Sequence, residues 1–289
     1  MRHIILTTHA STEYELLDSG GEEKLERYGS VVLARPDPSA LWEKHLSDTV
    51  WKAADAWYER KTKGGEWHTK STLPKEWAID FGGLHFIIKP TSFKHTGLFP
   101  EQLSNWEWTA QLIQNAGRPV SVLNLFAYTG GASLAAAQAG ASVTHVDASK
   151  TAVAWARENA KLSGLAEKPI RWITDDVLVY IEREMKRGVH YDGIIMDPPA
   201  FGHGPKDELW KIEEDFLTLM KLCRELLTEK PLFFIVNGYA SGYSSLAFAH
   251  NLATLAERFT GREVEHGELT IAESGSGRLL PCGIFARVQ

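Results

Sequence analysis

The stretch SVLNLFAYTGG at residues 121–131 decides the fold, because the chain that follows it repeats its pattern. A short apolar run at 121–126 leads through a glycine-bearing turn into a helical segment at 131–139. The same alternation continues with strands at 142–146, 170–174, 191–196 and 231–237 and helices at 149–163, 177–187, 243–258 and within 208–228. Short apolar runs that alternate with helices predict βαβ units and a parallel sheet with helices on both faces.

Two more strands are predicted at the end of the chain, at 263–271 and 281–288, on either side of the turn residues 274–277. Their arrangement is typical of an antiparallel pair. Together with the five strands before them, they predict an α/β fold with a seven-stranded sheet over residues 95–289. In such sheets, ligands bind beyond the carboxyl ends of the strands, at the point where the strand order reverses.

Residues 1–94 have a different pattern, which predicts a small β-rich α+β domain. It contains predicted strands at 14–18, 24–28 and 31–34, a helix at 39–58, an exposed loop at 61–75 and a hairpin of 77–81 with 84–88. Its tryptophans are Trp42, Trp51, Trp57, Trp67 and Trp77. They could offer a stacking surface for bases, but a role in a small core is favoured for most of them. The domain is a candidate for substrate recognition.

The composition is that of an ordinary globular protein with a formal net charge of −6. This balance weakly disfavours tight, non-specific binding of nucleic acid, which usually needs a basic face. The only cysteines, Cys223 and Cys282, have neither a disulfide framework nor the spacing of a metal site. No run approaches the roughly 20 apolar residues of a membrane span. We therefore expect a cytoplasmic protein without a membrane segment or a bound metal.

Three successive strand ends carry groups that suit a ligand with a ribose and an adenine. The turn after the first strand has too few glycines for a dinucleotide fingerprint, which favours a ligand without phosphates. Asp147 ends the second strand, where a carboxylate can accept both ribose hydroxyls, unless it caps the next helix in place of Ser149. Asp175 and Asp176 end the third strand. One of them could cap the next helix, and Asp176 is favoured as the acceptor for the adenine amino group.

The fourth strand ends in the run DPPAF at residues 197–201. This run places a carboxylate, a stiff turn and an aromatic face at one sheet edge. Asp197 and the Pro198 carbonyl would accept the N–H bonds of a planar ring, and Phe201 would stack on it. The structural alternative is a strand that stops at a Pro-Pro breaker with a capping Asp. The residues that follow, 202–206, predict a mobile loop.

These motifs resemble those of the class I S-adenosylmethionine-dependent methyltransferases, most closely the bacterial family that includes the large-subunit ribosomal RNA cytosine-C5 and guanine-N7 methyltransferases. The runs that carry the resemblance are 96–102, 124–130, 175–177 and 197–201. The resemblance implies a Rossmann-like, seven-stranded methyltransferase sheet over 95–289, S-adenosylmethionine as the cofactor and ribosomal RNA as the partner. The expected cofactor-binding residues are Gln102 (from the resemblance alone), Asn124, Phe126, Ala127, Tyr128, Thr129, Gly130, Asp147, Ala148, Asp175, Asp176, Val177 and Asp197. The expected catalytic residues are Asp197, Pro198, Pro199 and Phe201.

The resemblance leaves the methylated atom open. Cytosine-C5 chemistry needs a cysteine thiolate, which in the C5 enzymes of this family follows the fifth strand, and residues 234–242 contain none. Direct transfer to a nitrogen is therefore favoured, with Cys282 as a non-standard nucleophile in the alternative. A small-molecule or protein methyltransferase on the same fold also stays open. The incomplete glycine fingerprint disfavours a nucleotide-dependent oxidoreductase. A homodimer stays open as the oligomeric state.

Overall fold

The computed structural model describes residues 1–61, 64–70, 73–91, 94–239, 242–261 and 263–289. This part of the chain forms two compact units. The larger unit comprises Met1–Leu6, Gln102–Glu268 and Gly283–Gln289, and the smaller unit comprises Thr7–Glu101 and Leu269–Cys282. The division therefore differs from the single boundary at residue 95 predicted from the sequence. One reason is that the backbone N–H of Arg2 donates to the carbonyl of Val264 at 2.8 Å, which joins the N-terminus to the larger unit.

The helices and strands follow one another along the chain as the pattern of apolar residues requires. The strands are β1 (Arg2–Thr8), β2 (Tyr14–Gly20), β3 (Glu23–Tyr28), β4 (Val31–Pro36), β5 (Ala56–Arg60), β6 (Gly65–Thr69), β7 (Trp77–Phe81), β8 (Leu84–Ile88), β9 (Ser121–Leu125), β10 (Ser142–Asp147), β11 (Ile170–Thr174), β12 (Gly193–Met196), β13 (Phe201–His203), β14 (Leu209–Lys211), β15 (Phe233–Gly238), β16 (Glu265–Ala272) and β17 (Leu279–Val288). The helices are α1 (Asp48–Lys52), α2 (Leu103–Asn115), α3 (Gly131–Gln138), α4 (Lys150–Leu162), α5 (Val177–Lys186), α6 (Ile212–Glu225) and α7 (Ser245–Ala253), with 3-10 turns at Pro100–Gln102 and Ala256–Arg258.

The central sheet has eight strands within the described residues, in the order β1-β16-β17-β15-β12-β9-β10-β11. Strands β9, β10, β11, β12 and β15 pair in parallel, and β17 pairs antiparallel with β15. The predicted α/β fold is confirmed, and the seven strands expected from the sequence are all present. The eighth strand, β1, with the run RHIILTT, was not predicted.

Alternation along the strands of the larger unit places apolar side chains on both faces of the sheet. Leu123 and Leu125 on β9 belong to a core cluster shared with α5 and α6, whereas Val122 belongs to a second cluster shared with α2 and α3. This period of two is the geometry of an extended strand. Each leucine buried in this way stabilises the fold by about 1.5–3 kcal/mol relative to an exposed one.

The order of the parallel strands reverses between β9 and β12. The chain runs from β9 to β10 and β11 on one side, and then returns to place β12 on the other side of β9. In the register of this pair, Met196 lies opposite Leu125. The carboxyl ends of β9 and β12 therefore flank a crevice, which is where ligands bind in open α/β sheets.

The smaller unit is β-rich, as predicted, with a five-stranded sheet of order β2-β3-β4-β5-β6 and a separate hairpin of β7 and β8. A charged group lies at its centre: the carboxylate of Glu26 is fully buried and accepts from Arg35 and from the hydroxyl of Tyr14, which is 2.9 Å away. Burial alone would raise the pKa of Glu26, but Arg35 and Lys24 outweigh it and lower that pKa to about 2. The charge is tolerated because it is paired and hydrogen-bonded.

The helix predicted at 39–58 is wrong. Only Asp48–Lys52 of this stretch is helical, and its C-terminal part forms strand β5. The backbone N–H of Leu46 donates to the carboxylate of Asp18 at 2.8 Å, so a side chain takes the place of a helical carbonyl. In β5, exposed Trp57 alternates with buried neighbours, which is a strand pattern.

The exposed loop predicted at 61–75 is also wrong in part. Gly65–Thr69 forms β6, which pairs antiparallel with β5. Residues 62–63 and 71–72 of this predicted loop lie outside the described residues.

The role in a small core that was favoured for the tryptophans is confirmed only for Trp51, which is buried. Trp42, Trp67 and Trp77 are half-buried, and each donates its indole N–H to a backbone carbonyl. Trp57 is exposed and stacks on His68, with a distance of 5.3 Å between the ring centroids.

Candidate functional site

The turn between β9 and α3 has an unusual backbone. Phe126 has a φ of 55°, Tyr128 a φ of 47° and Gly130 a φ of 92°, all in the left-handed region. This region suits glycine but costs about 1–3 kcal/mol for other residues, and such strain tends to cluster at ligand sites. The backbone N–H of Ala127 donates to the carbonyl of Val146 at 3.1 Å, which fixes the turn to the end of β10.

Asn124 supports this turn from inside the larger unit. Its side-chain amide donates to the hydroxyl of Ser133 on α3 at 2.9 Å, and that hydroxyl also lies 3.0 Å from Nδ1 of His145 on β10. Thr129, at the other end of the turn, accepts from the amide of Asn159 at 3.0 Å through its carbonyl. Both are sequence-predicted site residues, and the structure shows them anchoring the turn to the neighbouring elements.

The carboxylate of Asp147 organises the end of β10. One oxygen accepts from the backbone N–H of Tyr128 and the other from that of Ser149, both at 2.8 Å. Ser149 caps α4, as the sequence allowed, so Asp147 is not used as the cap. Burial raises the pKa of Asp147, and the two backbone N–H groups offset part of the rise. Each carboxylate oxygen has a second lone pair that can accept from a ligand hydroxyl.

The two aspartates at the end of β11, Asp175 and Asp176, have different structural roles. Asp176 caps α5, since its Oδ1 accepts from the backbone N–H of Val179 at 3.0 Å. Asp175 forms an ion pair with Arg183, and its backbone N–H donates to the carbonyl of Asp147 at 3.1 Å. The prediction that one of the two caps the helix is confirmed, and the cap is Asp176, the residue that was favoured as the adenine acceptor. Val177 is the first residue of α5, where backbone N–H groups have no acceptor within the helix and can bind a ligand.

The run 197–201 follows β12 and adjoins the turn after β9. The backbone N–H of Asp197 donates to the carbonyl of Leu125, the last residue of β9, at 3.3 Å. Pro198 is buried, Pro199 is exposed, and 56% of Phe201 is exposed. The structure therefore places Asp197, the first of the predicted catalytic residues, beside the strand end from which the predicted cofactor turn begins.

The mobile loop predicted at 202–206 is wrong in part, since only residues 204–206 lie in a turn. Phe201–His203 forms β13, which pairs antiparallel with β14, so these residues belong to a hairpin. Nδ1 of His203 also lies 2.9 Å from the carboxylate of Asp207 in the hairpin turn. The glycines of this stretch suggested a loop. The hairpin could not be predicted from the stretch alone, because the strand that pairs with β13 lies beyond the turn.

A row of side-chain amides lies behind the crevice, and sequence analysis missed two of its three members, Asn105 and Asn237. Gln102, predicted from the resemblance, donates to the hydroxyl of Tyr239 at 2.9 Å, and Asn105 on α2 donates to Asn237 at the end of β15 at 3.0 Å. Gln102, Asn105 and Asn237 line a cavity of about 10 Å³, room for one water. The signal was present, since Asn237 is a polar residue at a strand end.

The two cysteines are not in a state that favours nucleophilic chemistry. Cys223 is fully buried in α6, and burial raises the pKa of its thiol well above the ordinary value. Cys282 lies in the smaller unit, where its S–H donates to the carbonyl of Leu280, and burial likewise raises its pKa. A thiol must lose its proton to attack, so both environments oppose the reaction.

Glu59, Glu66 and His68 of the smaller unit carry ligand atoms that lie within 4.8 Å of one another, the one such group in the described residues. Nε2 of His68 is 2.8 Å from the carboxylate of Glu59, and Glu66 pairs with Lys61. The side chains therefore have partners within the protein. In the described part of the chain, no helix has the length and apolar character needed to cross a membrane.

Comparison with known proteins agrees with this geometry. The family model described as S-adenosylmethionine-dependent methyltransferase matches residues 52–252. A solved structure of a SAM-dependent methyltransferase from Agrobacterium tumefaciens is 39% identical, with a TM-score of 0.92, and the match covers 100% of this chain and 95% of that one.

Two curated relatives carry the name ribosomal RNA large subunit methyltransferase K/L. That of Syntrophotalea carbinolica is 34% identical over 62% of this chain and 25% of its own length. That of Pseudoalteromonas atlantica is 39% identical over 48% of this chain and 19% of its own length. The chain thus matches a quarter or less of the length of these relatives.

Proposed function

Because the chain belongs to the S-adenosylmethionine-dependent methyltransferase family, we propose that it methylates a nitrogen of an RNA base, in ribosomal RNA. The observation that carries the proposal is the position of Phe201. This aromatic side chain is 56% exposed, and it follows in the chain after Asp197, whose backbone N–H donates to the carbonyl at the end of β9. A flat, exposed ring suits stacking on a nucleobase.

The residues at the crevice fit S-adenosylmethionine, whose sulfonium supplies an activated methyl group. The left-handed turn at 126–130 lacks the glycine fingerprint of a pyrophosphate site, and the cofactor has no phosphates. Asp147 would accept from the ribose hydroxyls. Asp176 and the backbone N–H of Val177 would bind the adenine edge, and Gln102 lies in the amide row behind the turn.

The acceptor base would be held by three groups of the run 197–201. The carboxylate of Asp197 and the carbonyl of Pro198 would accept the N–H bonds of the target, which directs the nitrogen lone pair towards the methyl group. Phe201 would stack on the ring, a contact worth about 1–3 kcal/mol per base. Because the methyl donor is already reactive, positioning accounts for most of the acceleration.

A nitrogen is favoured over cytosine C5 by the state of the cysteines. A C5 mechanism needs a thiolate next to the base, but burial raises the pKa of both Cys223 and Cys282. Neither thiol is therefore poised to attack, and direct transfer to nitrogen needs no thiol at all.

The names of the curated relatives support RNA as the substrate class. A base in a helix would have to be flipped out to reach the crevice. The smaller unit is the candidate for RNA recognition, since Trp57 and His68 form an exposed stack on β5 and β6. Work on ribosomal RNA would place the enzyme in the cytoplasm.

One observation favours a second candidate, a small-molecule or protein acceptor. Residues 197–201 are called the acceptor segment. The stretch 201–215, which begins at its last residue, carries five carboxylates and two lysines. Proteins that track an RNA backbone usually present a basic face there. An acceptor without phosphates would not meet this repulsion.

The test is transfer of labelled methyl from S-adenosylmethionine to total RNA from a strain that lacks this protein, with a small-metabolite extract in parallel. We expect label in ribosomal RNA, at a base nitrogen when the nucleotide is mapped. Label confined to the metabolite fraction would contradict the RNA proposal and support the second candidate.

A further inference from the structure

The indole of Trp210 contacts both sides of the proposed site. It is 4% exposed and lies on β14 of the hairpin that follows the acceptor segment. Its Nε1–H donates to the carbonyl of Pro199 at 2.7 Å. Its ring packs against that of Phe126, with 4.9 Å between the centroids. No other role in the proposed mechanism uses this residue.

The acceptor segment depends on such a bond because prolines cannot donate. Pro198 and Pro199 lack backbone N–H groups, so the backbone of these two residues can be hydrogen-bonded only through the carbonyls. Of these, the Pro199 carbonyl is bound by Trp210, and the next carbonyl, that of Ala200, accepts from the backbone N–H of Ile212 at 3.0 Å. The residue before a proline is restricted to extended conformations. Fixing Pro199 therefore also limits the direction of the Pro198 carbonyl.

The cofactor turn depends on the same indole from the other side. Phe126 has a left-handed backbone, which persists only where the surroundings hold it. Its half-buried ring lies against Trp210 and the core cluster of α5 and α6. One rigid side chain thus separates the turn that would bind the methyl donor from the segment that would bind the acceptor.

The hairpin keeps this indole in place. Trp210 lies opposite Gly202 in the antiparallel register of β13 and β14. Side chains alternate in direction along a strand, so Trp210 points to the opposite face from Leu209, which is 50% exposed. The hairpin is therefore anchored by the face that carries Trp210.

We propose that Trp210 is a positioning residue for methyl transfer, which sets the distance between the cofactor turn and the acceptor segment. The proposal rests on the proposed roles of these two segments, but not on RNA as the acceptor. In-line transfer is sensitive to displacements of about 1 Å, which can cost roughly a hundredfold in rate. A residue with this role affects kcat more than cofactor affinity.

The variant Trp210→Phe separates the two contacts, because it keeps an aromatic ring and removes the N–H donor. We expect kcat to fall about 10-fold, while the Kd for S-adenosylhomocysteine changes less than about twofold, since one hydrogen bond is commonly worth a 3- to 10-fold effect. Substitution of Trp210 by 3-benzothienylalanine, which keeps the bicyclic ring and lacks the N–H, is expected to give the same loss. Trp108→Phe in α2 is the matched control, with kcat unchanged.

The experiment measures kcat with labelled S-adenosylmethionine on whichever acceptor the native protein labels, ribosomal RNA or the metabolite extract. A wild-type protein that labels only metabolites contradicts the RNA proposal and leaves this comparison intact. An unchanged kcat in Trp210→Phe, or a weakened Kd with an unchanged kcat, overturns the positioning role. Independently of any acceptor, exchange of the Trp210 indole proton with solvent must be slow, and fast exchange would overturn the contact with Pro199.

Discussion

Asp147 is the residue on which cofactor binding is proposed to depend most. It holds the turn after β9 through the N–H of Tyr128 and the start of α4 through the N–H of Ser149. The same oxygens are the proposed acceptors for the ribose. Burial raises the pKa of Asp147. Each hydrogen bond to the charged carboxylate is stronger in this environment than at the surface, because little water competes for it.

Asp147→Asn is expected to weaken binding of S-adenosylhomocysteine by about 10- to 100-fold. The asparagine side chain carries no charge, so the variant loses hydrogen bonds to a charged group, which are worth roughly 1.5–3 kcal/mol. Isothermal titration calorimetry measures the Kd directly. The matched control is Glu182→Gln on exposed α5 surface, where the same chemical change should have no effect. Native affinity in Asp147→Asn would remove this residue from the site.

Gly131, the first residue of α3, is expected not to tolerate a side chain. A Cβ there would lie 2.3 Å from the ring of Trp106, far inside contact distance. Gly131→Ala should therefore lower the free energy of unfolding by about 1–3 kcal/mol, the usual cost of overpacking. Urea unfolding compares it with Gly275→Ala, where the added Cβ meets nothing within 4 Å. Equal stabilities would show that α3 can move away from α2.

At the scale of elements, the sequence predicted the parallel strands well because each is a short apolar run with a helix behind it. It failed where long-range partners replace local ones. Apolar residues in 39–58 have helical spacing. However, the carboxylate of Asp18 accepts a hydrogen bond from the backbone of this stretch, and its C-terminal residues pair with β6 as part of strand β5. The hairpin of β13 and β14 was hidden for a similar reason, since glycines in 202–206 are typical of a loop.

The hairpin makes Phe201 an exposed part of a fixed element, so its removal should affect the substrate and not the fold. Phe201→Ala is expected to raise the KM for the acceptor by about 5- to 100-fold, from a stacking contact of about 1–3 kcal/mol. The Kd for S-adenosylhomocysteine and the unfolding midpoint should stay as in the native protein. Leu217→Ala, at a residue 61% exposed on α6, is the control. An unchanged KM would argue against stacking on Phe201.

At the scale of the whole molecule, the sequence predicted the position of the candidate site but not all of the residues that form it. The motifs lie at the ends of β9, β10, β11 and β12, and the sheet order places the reversal between β9 and β12, as a parallel sheet requires. Trp210 and Asn105 were missed, because their importance lies in contacts with residues distant in the chain. No local pattern marks such partners.

Stability should fall on mild acidification because of a buried histidine. Burial lowers the pKa of His145 to about 3 from an ordinary 6.5. Below pH 6.5 the unfolded chain therefore binds a proton that the folded protein does not, at a cost of about 1.4 kcal/mol per pH unit. Between pH 6.5 and 5 the loss from this group is about 2 kcal/mol.

Urea unfolding at pH 6.5 and pH 5 measures this loss, and His145→Gln removes it. The variant should lose about 2 kcal/mol less than the native protein across that interval, whatever its stability at pH 6.5. His95, whose pKa is lowered to about 4 by burial and nearby cations, is present in both proteins and cancels in the difference. Parallel pH profiles would mean that His145 is protonated in the fold.

The central claim is that methyl transfer takes place at the acceptor segment that begins with Asp197. The most direct measurement is methyl transfer by Asp197→Ala, made beside calorimetric binding of S-adenosylhomocysteine to the same preparation. We predict that the variant binds S-adenosylhomocysteine and that its transfer rate falls at least about 100-fold, since the acceptor nitrogen has lost the carboxylate that orients it. Transfer at the native rate would contradict the account.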